Sequence, residues 1–416
     1  MIRYSAFDPP EYVDWKPDPD VIGEYHRAIE TNPRRQDIIA GLEPAQLIAL
    51  YEGMLRNRLH DTALKRWVKQ GIASKAWLGT GEEATTIGAV HALDRGTYSD
   101  GTRTDFVAPM IRNAGACHEF GMAVADMLRG YLGTADSPTG GRDLHIGDLK
   151  KGVLAPISPV GIMVPVTAGI ALGFKMRREP RVALTWIGDG STKAGPFHEG
   201  LNFAAARRLP LIVIIQNNQV ALGTRLDQYN RGAFLDYTSA YGVEGWGFDG
   251  NNVLDAYAAV KIAADRARHT ENRDRGPFLL VAETFRMGGH ATHDEREART
   301  TFPSELFQYW GKRDPIGLFE TYLIEGDIDL ESGRRDRKAA FTETNSRLLR
   351  QVEQKIIGEV ERAAEEALES KRSRMPTPES AATGVLSHGR SERVRNGAGG
   401  LVAGPETFAA SGQDRA

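Results

Sequence analysis

The chain has 416 residues, 41% of them hydrophobic and 26% charged, which is material for one large or two ordinary globular domains. A net charge of -3 gives no bias toward nucleic acid or an anionic membrane, and no apolar run approaches bilayer-spanning length, so neither partner is expected. The opening MIRYSAFDPPEYVDW lacks the apolar core of a signal peptide and carries acids unlike a transit peptide, and the single cysteine, Cys117, excludes an intrachain disulfide; the expected compartment is cytoplasmic.

Met1 to about Gly41 is rich in Pro, Asp and aromatic residues and reads as an extended arm, with Tyr12 and Trp15 favouring docking on a neighbouring surface over disorder. From Glu43 the pattern turns helical, with Leu47, Leu50, Met54, Leu55, Leu59 and Ala63 at helical intervals; His60 beside that face reads as a helix residue near a subunit surface rather than a ligand. Gly79 to Gly88 is a glycine-rich turn running into a helix through Ala92, and 93–106 reads as a polar loop. Arg112 then stands at a helix start, the ordinary place of a surface arginine, although a guanidinium can also meet a phosphate in bidentate fashion; the phosphate role is implied only by the resemblance described below. A short amphipathic helix covers 123–132, a glycine-rich loop holds Gly140-Gly141, and a largely apolar helix rich in small residues is expected over 155–178, opened by Ser158-Pro159-Val160.

The most informative stretch is Val182 to Gly223. An apolar run, 182–187, stops at Gly188-Asp189-Gly190. After Pro196 the apolar residues Phe197, Leu201, Ala204 and Ala205 mark one helix face, and a second apolar run, 211–215, ends at Gln216-Asn217-Asn218. Two continuously apolar strands around a helix predict a parallel unit buried on both faces, with Asp189 and Asn218 at carboxyl ends, where open α/β sheets bind ligands. Gly188 and Gly190 permit close backbone approach, the helix start offers amides to an anion, and Asp with Asn gives hard oxygens for a divalent cation; a diphosphate held through magnesium, with the Val220 carbonyl as a further oxygen, fits all three.

Gly245-Trp246-Gly247-Phe248-Asp249-Gly250 formally matches a dinucleotide-binding pattern, but no apolar strand precedes it, and Asp249 to Asn252 reads better as a turn capping a helix over 253–268. Pro277 to Phe285 is another buried strand. The segment after it, RMGGHATHDEREARTTFP, has the composition of a mobile loop and carries His290 and His293. Trp310 and Asp314-Pro315-Ile316 lead into a further helix, 336–372 is a charged amphipathic helical region, and the residues from Pro376 read as a disordered tail.

The GDG at 188–190 with Asn217-Asn218 resembles the thiamine diphosphate motif, and FHEGLNFAA is similar to its form in the alpha chains of 2-oxo acid dehydrogenase first components, the branched-chain (2-oxoisovalerate) type nearest. The resemblance runs from Tyr51 through Gly81-Glu82-Glu83, Ser158-Pro159-Val160 and Phe285 to His290, then to Trp310 and Asp314-Pro315-Ile316, covering about the central two-thirds of the chain. It departs at Ile111, where the family has an aromatic residue, and in extra residues between Glu83 and Arg112. Ile157, Ile162 and Met163 stand where some branched-chain members bind potassium through polar side chains, so that ion is not expected.

The resemblance implies an α/β thiamine diphosphate-binding fold, a mostly parallel sheet with helices on both faces, over 42–325. It follows an extended arm (1–41) and precedes C-terminal helices (326–375) and a tail (376–416). It implies magnesium held by Asp189, Asn218 and Val220, and cofactor contacts from Arg112, Ser158, Val160, Gly188, Gly190, Ser191, Asn218 and His290, with His290 catalytic. The implied reaction is oxidative decarboxylation of a 2-oxo acid, branched-chain preferred over pyruvate or acetoin-type, with acyl transfer to lipoyl domains of a dihydrolipoyl acyltransferase. Only one diphosphate-binding unit is present, so the activating glutamate is expected from a beta subunit in an α2β2 heterotetramer. Ala291 replaces the phosphorylatable serine of regulated members. Two other readings are a non-catalytic scaffold subunit, suggested by Ile111 and the insertion, and a nicotinamide-dependent oxidoreductase resting on the Gly245 pattern alone.

Overall fold

The computed structural model describes residues 1–9, 15–96, 104–268, 276–336 and 341–382. The first helices are α1 (Pro19–Glu30), α2 (Pro33–Ala40) and α3 (Pro44–Lys69), so the expected extended arm gives way to helix at Pro19. The start signals explain this: Asp18 and Asn32 cap α1 and α2 by accepting from backbone amides, and Pro19 and Pro33 occupy the first helical position, where a missing N–H costs nothing. Trp15 packs closely over Gly317 of the same chain; Tyr12 lies outside the described residues.

The elements continue as α4 (Glu83–His91), β1 (Phe106–Ala108), α5 (Ala114–Glu119), α6 (Val124–Leu132), α7 (Met163–Arg177), β2 (Ala183–Gly188), α8 (Gly195–Arg207) and β3 (Leu211–Asn217). A short hairpin, β4 (Val220–Ala221) with β5 (Thr224–Arg225), leads to α9 (Leu226–Tyr229), α10 (Asp236–Tyr241), β6 (Glu244–Asp249), α11 (Val253–Arg268) and β7 (Phe278–Glu283). The chain closes with α12 (Glu295–Thr301), α13 (Ser304–Gly311), α14 (Pro315–Glu325) and the long α15 (Thr342–Ser373). Residues 376–416 form a separate unit of which only 376–382, a single 3-10 turn, is described, so the expected disordered tail lies otherwise outside the described residues.

β1, β2, β3, β7 and β6 form one parallel sheet in that order. Successive side chains of a strand point to opposite faces, and both faces here are covered. Leu184, Trp186, Ile212, Ile214 and Leu280 belong to one apolar core with residues of α3, α4, α11 and α15, of which α11 lies against the sheet, while Ala183, Ile187, Val213, Ile215 and Val281 share a second core with α7 and α8. The predicted unit of strand, helix and strand therefore stands at the centre of the sheet, with Asp189 and Asn218 immediately past the carboxyl ends of β2 and β3.

Four sequence readings are corrected. The expected helix over 155–178 begins only at Met163, because Pro159 and Gly161, at φ +79, hold Ser158 to Gly161 in a turn. His60 is 1% exposed in the core and its Nδ1 lies 3.1 Å from Nε2 of His118, so it is not a surface residue. Gly245 to Asp249 form most of strand β6, which the sequence reading left out, while the expected cap holds: Asn252 Oδ1 accepts from the amides of Leu254 and Asp255 to start α11. The segment after β7 is anchored: Phe285, Met287, Ala298 and Phe302 are buried with Phe307 and Trp310 in a small apolar cluster.

Candidate active site

Asp189 leaves β2 into a 3-10 turn and is 1% exposed. Its Oδ1 accepts from the Gly190 amide at 2.8 Å, but Oδ2 is buried without a hydrogen-bond partner. Burial pushes this carboxyl up, against the pull of the Gly190 amide, Arg112 and Arg286. The Tyr229 hydroxyl stands near it, and no hydrogen bond of good geometry joins the two. A side chain at Gly190 would sit 2.6 Å from the Cβ of Ala221, so only glycine lets the turn close against the hairpin after β3.

Glu82, at the start of α4, ties the two halves of the site together. One oxygen accepts from Asn218 Nδ2 at 3.0 Å and the other from Arg112 Nε at 2.8 Å. Asn218 therefore keeps its oxygen for other partners, and that oxygen accepts from the Val220 amide at 3.3 Å. Arg112 aims its free end past Gly188, where an added Cβ would meet one terminal nitrogen at 3.4 Å; that nitrogen is buried without a partner.

A second cation faces the same place. Arg286 is 2% exposed, and its Nε and one terminal nitrogen have no hydrogen-bond partner. Burial and the neighbouring Arg112 pull its guanidinium down to about 10. His290 is pulled down to about 3 by burial, then by Arg286, Arg112 and His293, and so stands neutral beside two cations. Two buried guanidiniums with orphaned donors, opposite a carboxylate with an orphaned oxygen, form a set that lacks an anion and a cation of matching charge. Among the described residues no group of three or more His, Cys, Asp or Glu could hold a metal, so any divalent ion here would draw further oxygens from the ligand itself, as magnesium does when bound with phosphates.

Beside this charged end lies a cavity of about 320 Å³. Arg112, Ser158, Val160, Ser191 and His290 all line it, together with Ile111, Ile157, Met163, Trp77 and Ile187. Among the described residues no carboxylate lines it. Gly188, Asp189, Gly190, Asn218 and Val220 belong to the adjoining strand ends, joined to it through Arg112 and Glu82. The structure thus brings every predicted residue to one end of the sheet. Two neighbours escaped the sequence reading as site residues, Glu82 and Arg286, and a third, His145, belongs to the glycine-rich loop that loosely resembles one the family orders over the cofactor. His145 lines the cavity with Nδ1 2.7 Å from Asp143 and Nε2 3.3 Å from Ser158. Glu82 and Arg286 fell inside segments of the recognised resemblance, but only their contacts with residues remote in sequence mark them out.

Residues 51–373 match the family described as dehydrogenase E1 component. The chain is 33% identical over 289 residues to 2-oxoisovalerate dehydrogenase subunit alpha of Bacillus subtilis (strain 168), covering 68% of this chain and 84% of the relative. It is 30% identical over 302 residues to the mitochondrial 2-oxoisovalerate dehydrogenase subunit alpha of Mus musculus, covering 71% and 65%. It is 29% identical over 328 residues to the pyruvate dehydrogenase E1 component subunit alpha of Staphylococcus aureus (strain MRSA252), covering 76% and 82%. A transketolase from Campylobacter jejuni aligns with 79% of this chain at a TM-score of 0.46 and 14% identity, and the chain spans about half, 49%, of that transketolase's length. With three-quarters of its length inside the family match and two-thirds shared with a relative at 33% identity, the chain belongs to the dehydrogenase E1 component family, as a 2-oxo acid dehydrogenase alpha chain.

Proposed function

We propose that this chain is the alpha subunit of a branched-chain 2-oxo acid dehydrogenase first component, which works with a beta subunit as an α2β2 heterotetramer and delivers acyl groups to lipoyl domains of an acyltransferase. The observation that carries the reading is the orphaned Oδ2 of Asp189 set opposite the orphaned nitrogens of Arg112 and Arg286. Magnesium and a diphosphate fit that set in charge and in donor type. Asp189, the Asn218 oxygen and the Val220 carbonyl would hold the ion; Arg112, Arg286 and the turn from Gly188 to Ser191 would meet the diphosphate. Thiamine diphosphate, when bound, supplies the electron sink for loss of carbon dioxide.

The chain's own residues do the rest. Glu82 fixes the orientation of Arg112 and Asn218 at once, so that both are in place before a ligand arrives. His290, neutral at its nitrogens, would hydrogen-bond near the terminal phosphate and carry a proton during acyl transfer. Ser158 and Val160 present one hydroxyl and one apolar side chain to the cavity. Ile111, Ile157, Val160, Met163 and Ile187, with Trp77 and Trp186, make much of its wall apolar, which favours a branched side chain over the methyl of pyruvate at ~0.8 kcal/mol for each buried methylene. The lack of a carboxylate in that lining supports supply of the activating glutamate by the beta subunit. Turnover of 3-methyl-2-oxobutanoate and of pyruvate by the assembled enzyme tests the reading. A kcat/KM favouring the branched acid by tenfold or more, about 1.4 kcal/mol, is expected, and preference for pyruvate would reassign the substrate.

A further inference from the structure

We propose that residues 3–8 are positioning residues for the segment that carries His290, holding it in place before any ligand binds. The inference rests on the reading of His290 as a site residue, but the contacts stand without it. Ala6 and Phe7 are buried at 1% and 3%, and Phe7 joins Phe285, Met287, Ala298 and Phe302 in one apolar cluster that also includes Val220, two residues after Asn218. The Asp8 amide donates to the Met287 carbonyl at 3.2 Å. The Asp8 carboxylate, 3% exposed, takes both Nε and a terminal nitrogen of Arg299 on α12, the first at 3.0 Å. Lys65 closes the clasp: its ammonium donates to the carbonyls of Ala6 and Phe7 at 3.0 and 3.1 Å and pairs with Glu295 at 2.9 Å.

His290 sits between these two anchors. Met287 precedes it, and α12, held by Asp8 and Lys65, follows it. The turn around it has few fixings of its own: the Ala291 amide donates to Asp294 at 2.9 Å, and Thr292 exchanges bonds with Ala76. A segment fixed at both ends by a strap remote in sequence loses its order when the strap is removed, while the sheet behind it keeps its own core.

The test uses the full chain, alone and with its beta subunit. Hydrogen exchange is followed in residues 286–302 and, as an internal reference, in β3. Deleting residues 1–9, or the substitutions Phe7→Ala and Asp8→Asn, should speed exchange across 286–302 by about tenfold or more and leave β3 unchanged. Phe7→Leu should restore protection, and a synthetic peptide of residues 1–9 added to the deletion variant should restore it in a saturable way. In the assembled enzyme the same variants should weaken magnesium–thiamine diphosphate binding by about tenfold while a retained kcat at saturation marks a positioning role. Exchange in 286–302 that stays at the wild-type rate, or that rises only in step with β3, overturns the proposal. The exchange result needs no ligand, so it also separates this inference from a failure of the functional reading.

Discussion

Replacing Arg286 by methionine should make the ligand-free chain more stable and its cofactor binding much weaker. A fall of the Arg286 guanidinium from the ordinary arginine range to about 10 corresponds to a penalty of roughly 3 kcal/mol for holding the charge in that place at neutral pH. Two of its nitrogens are also buried without partners, a loss methionine does not incur. Methionine keeps most of the stem volume, so about 1–3 kcal/mol of net stabilisation is expected after the lost packing is counted. Against that, the variant removes one of two cations facing the proposed diphosphate, and magnesium–thiamine diphosphate affinity should fall by about a hundredfold or more, the magnitude expected for one buried charge-assisted contact. Thermal unfolding without ligand and titration calorimetry with it read the two effects separately. A variant that melts lower than wild type and binds the cofactor equally well would refute the reasoning, because it would make Arg286 an ordinary packing residue.

Asp189→Asn should also keep the fold, since Asp189 lies past the end of β2, and should abolish magnesium-dependent cofactor binding in calorimetry; wild-type affinity would remove Asp189 from the site. Glu82→Gln places an amide NH2 against either Asn218 Nδ2 or Arg112 Nε, so denaturant unfolding should register a loss of about 1–3 kcal/mol, and no loss would mean that Glu82 does not bridge them. The buried pair His60 and His118 gives an acid limb. Burial drives both below the ordinary histidine value, His118 to about 4, so the unfolded chain takes up protons that the folded chain refuses. Stability should fall as pH drops from about 6.5 toward 4, by up to about 1.4 kcal/mol per unit for each histidine, and a His118→Leu variant that keeps the full slope would exclude this source.

How far the sequence could be read followed from where each signal lay. β2, α8 and β3 were legible because strands buried on both faces are apolar throughout and because Pro196 and Arg207 mark the helix ends. β6 was not: Gly245 and Gly247 interrupt its pattern, and as an edge strand it leaves Glu244 exposed. The helices α1 and α2 were hidden by reading their prolines as breakers, although Asp18-Pro19 and Asn32-Pro33 are both start signals. Within the site, the residues on the diphosphate motif were placed by type and spacing. Glu82 was not, since its role lies in joining Arg112 and Asn218, which are 30 and 136 residues away. The N-terminal clasp was equally invisible, because Asp8 meets Arg299 only through the fold.

On the proposed function, this chain holds half of an active site for a thiamine diphosphate-dependent 2-oxo acid dehydrogenase. Decarboxylation of 3-methyl-2-oxobutanoate, followed with an artificial electron acceptor in the presence of thiamine diphosphate and magnesium, tests it most directly when run with the chain alone and with its beta subunit added. Turnover should be absent from the chain alone and should appear, in proportion to α2β2 assembly, on addition of the beta subunit. Full turnover by the chain alone, or none by a correctly assembled heterotetramer with any 2-oxo acid, would rule out a half-site in this chain.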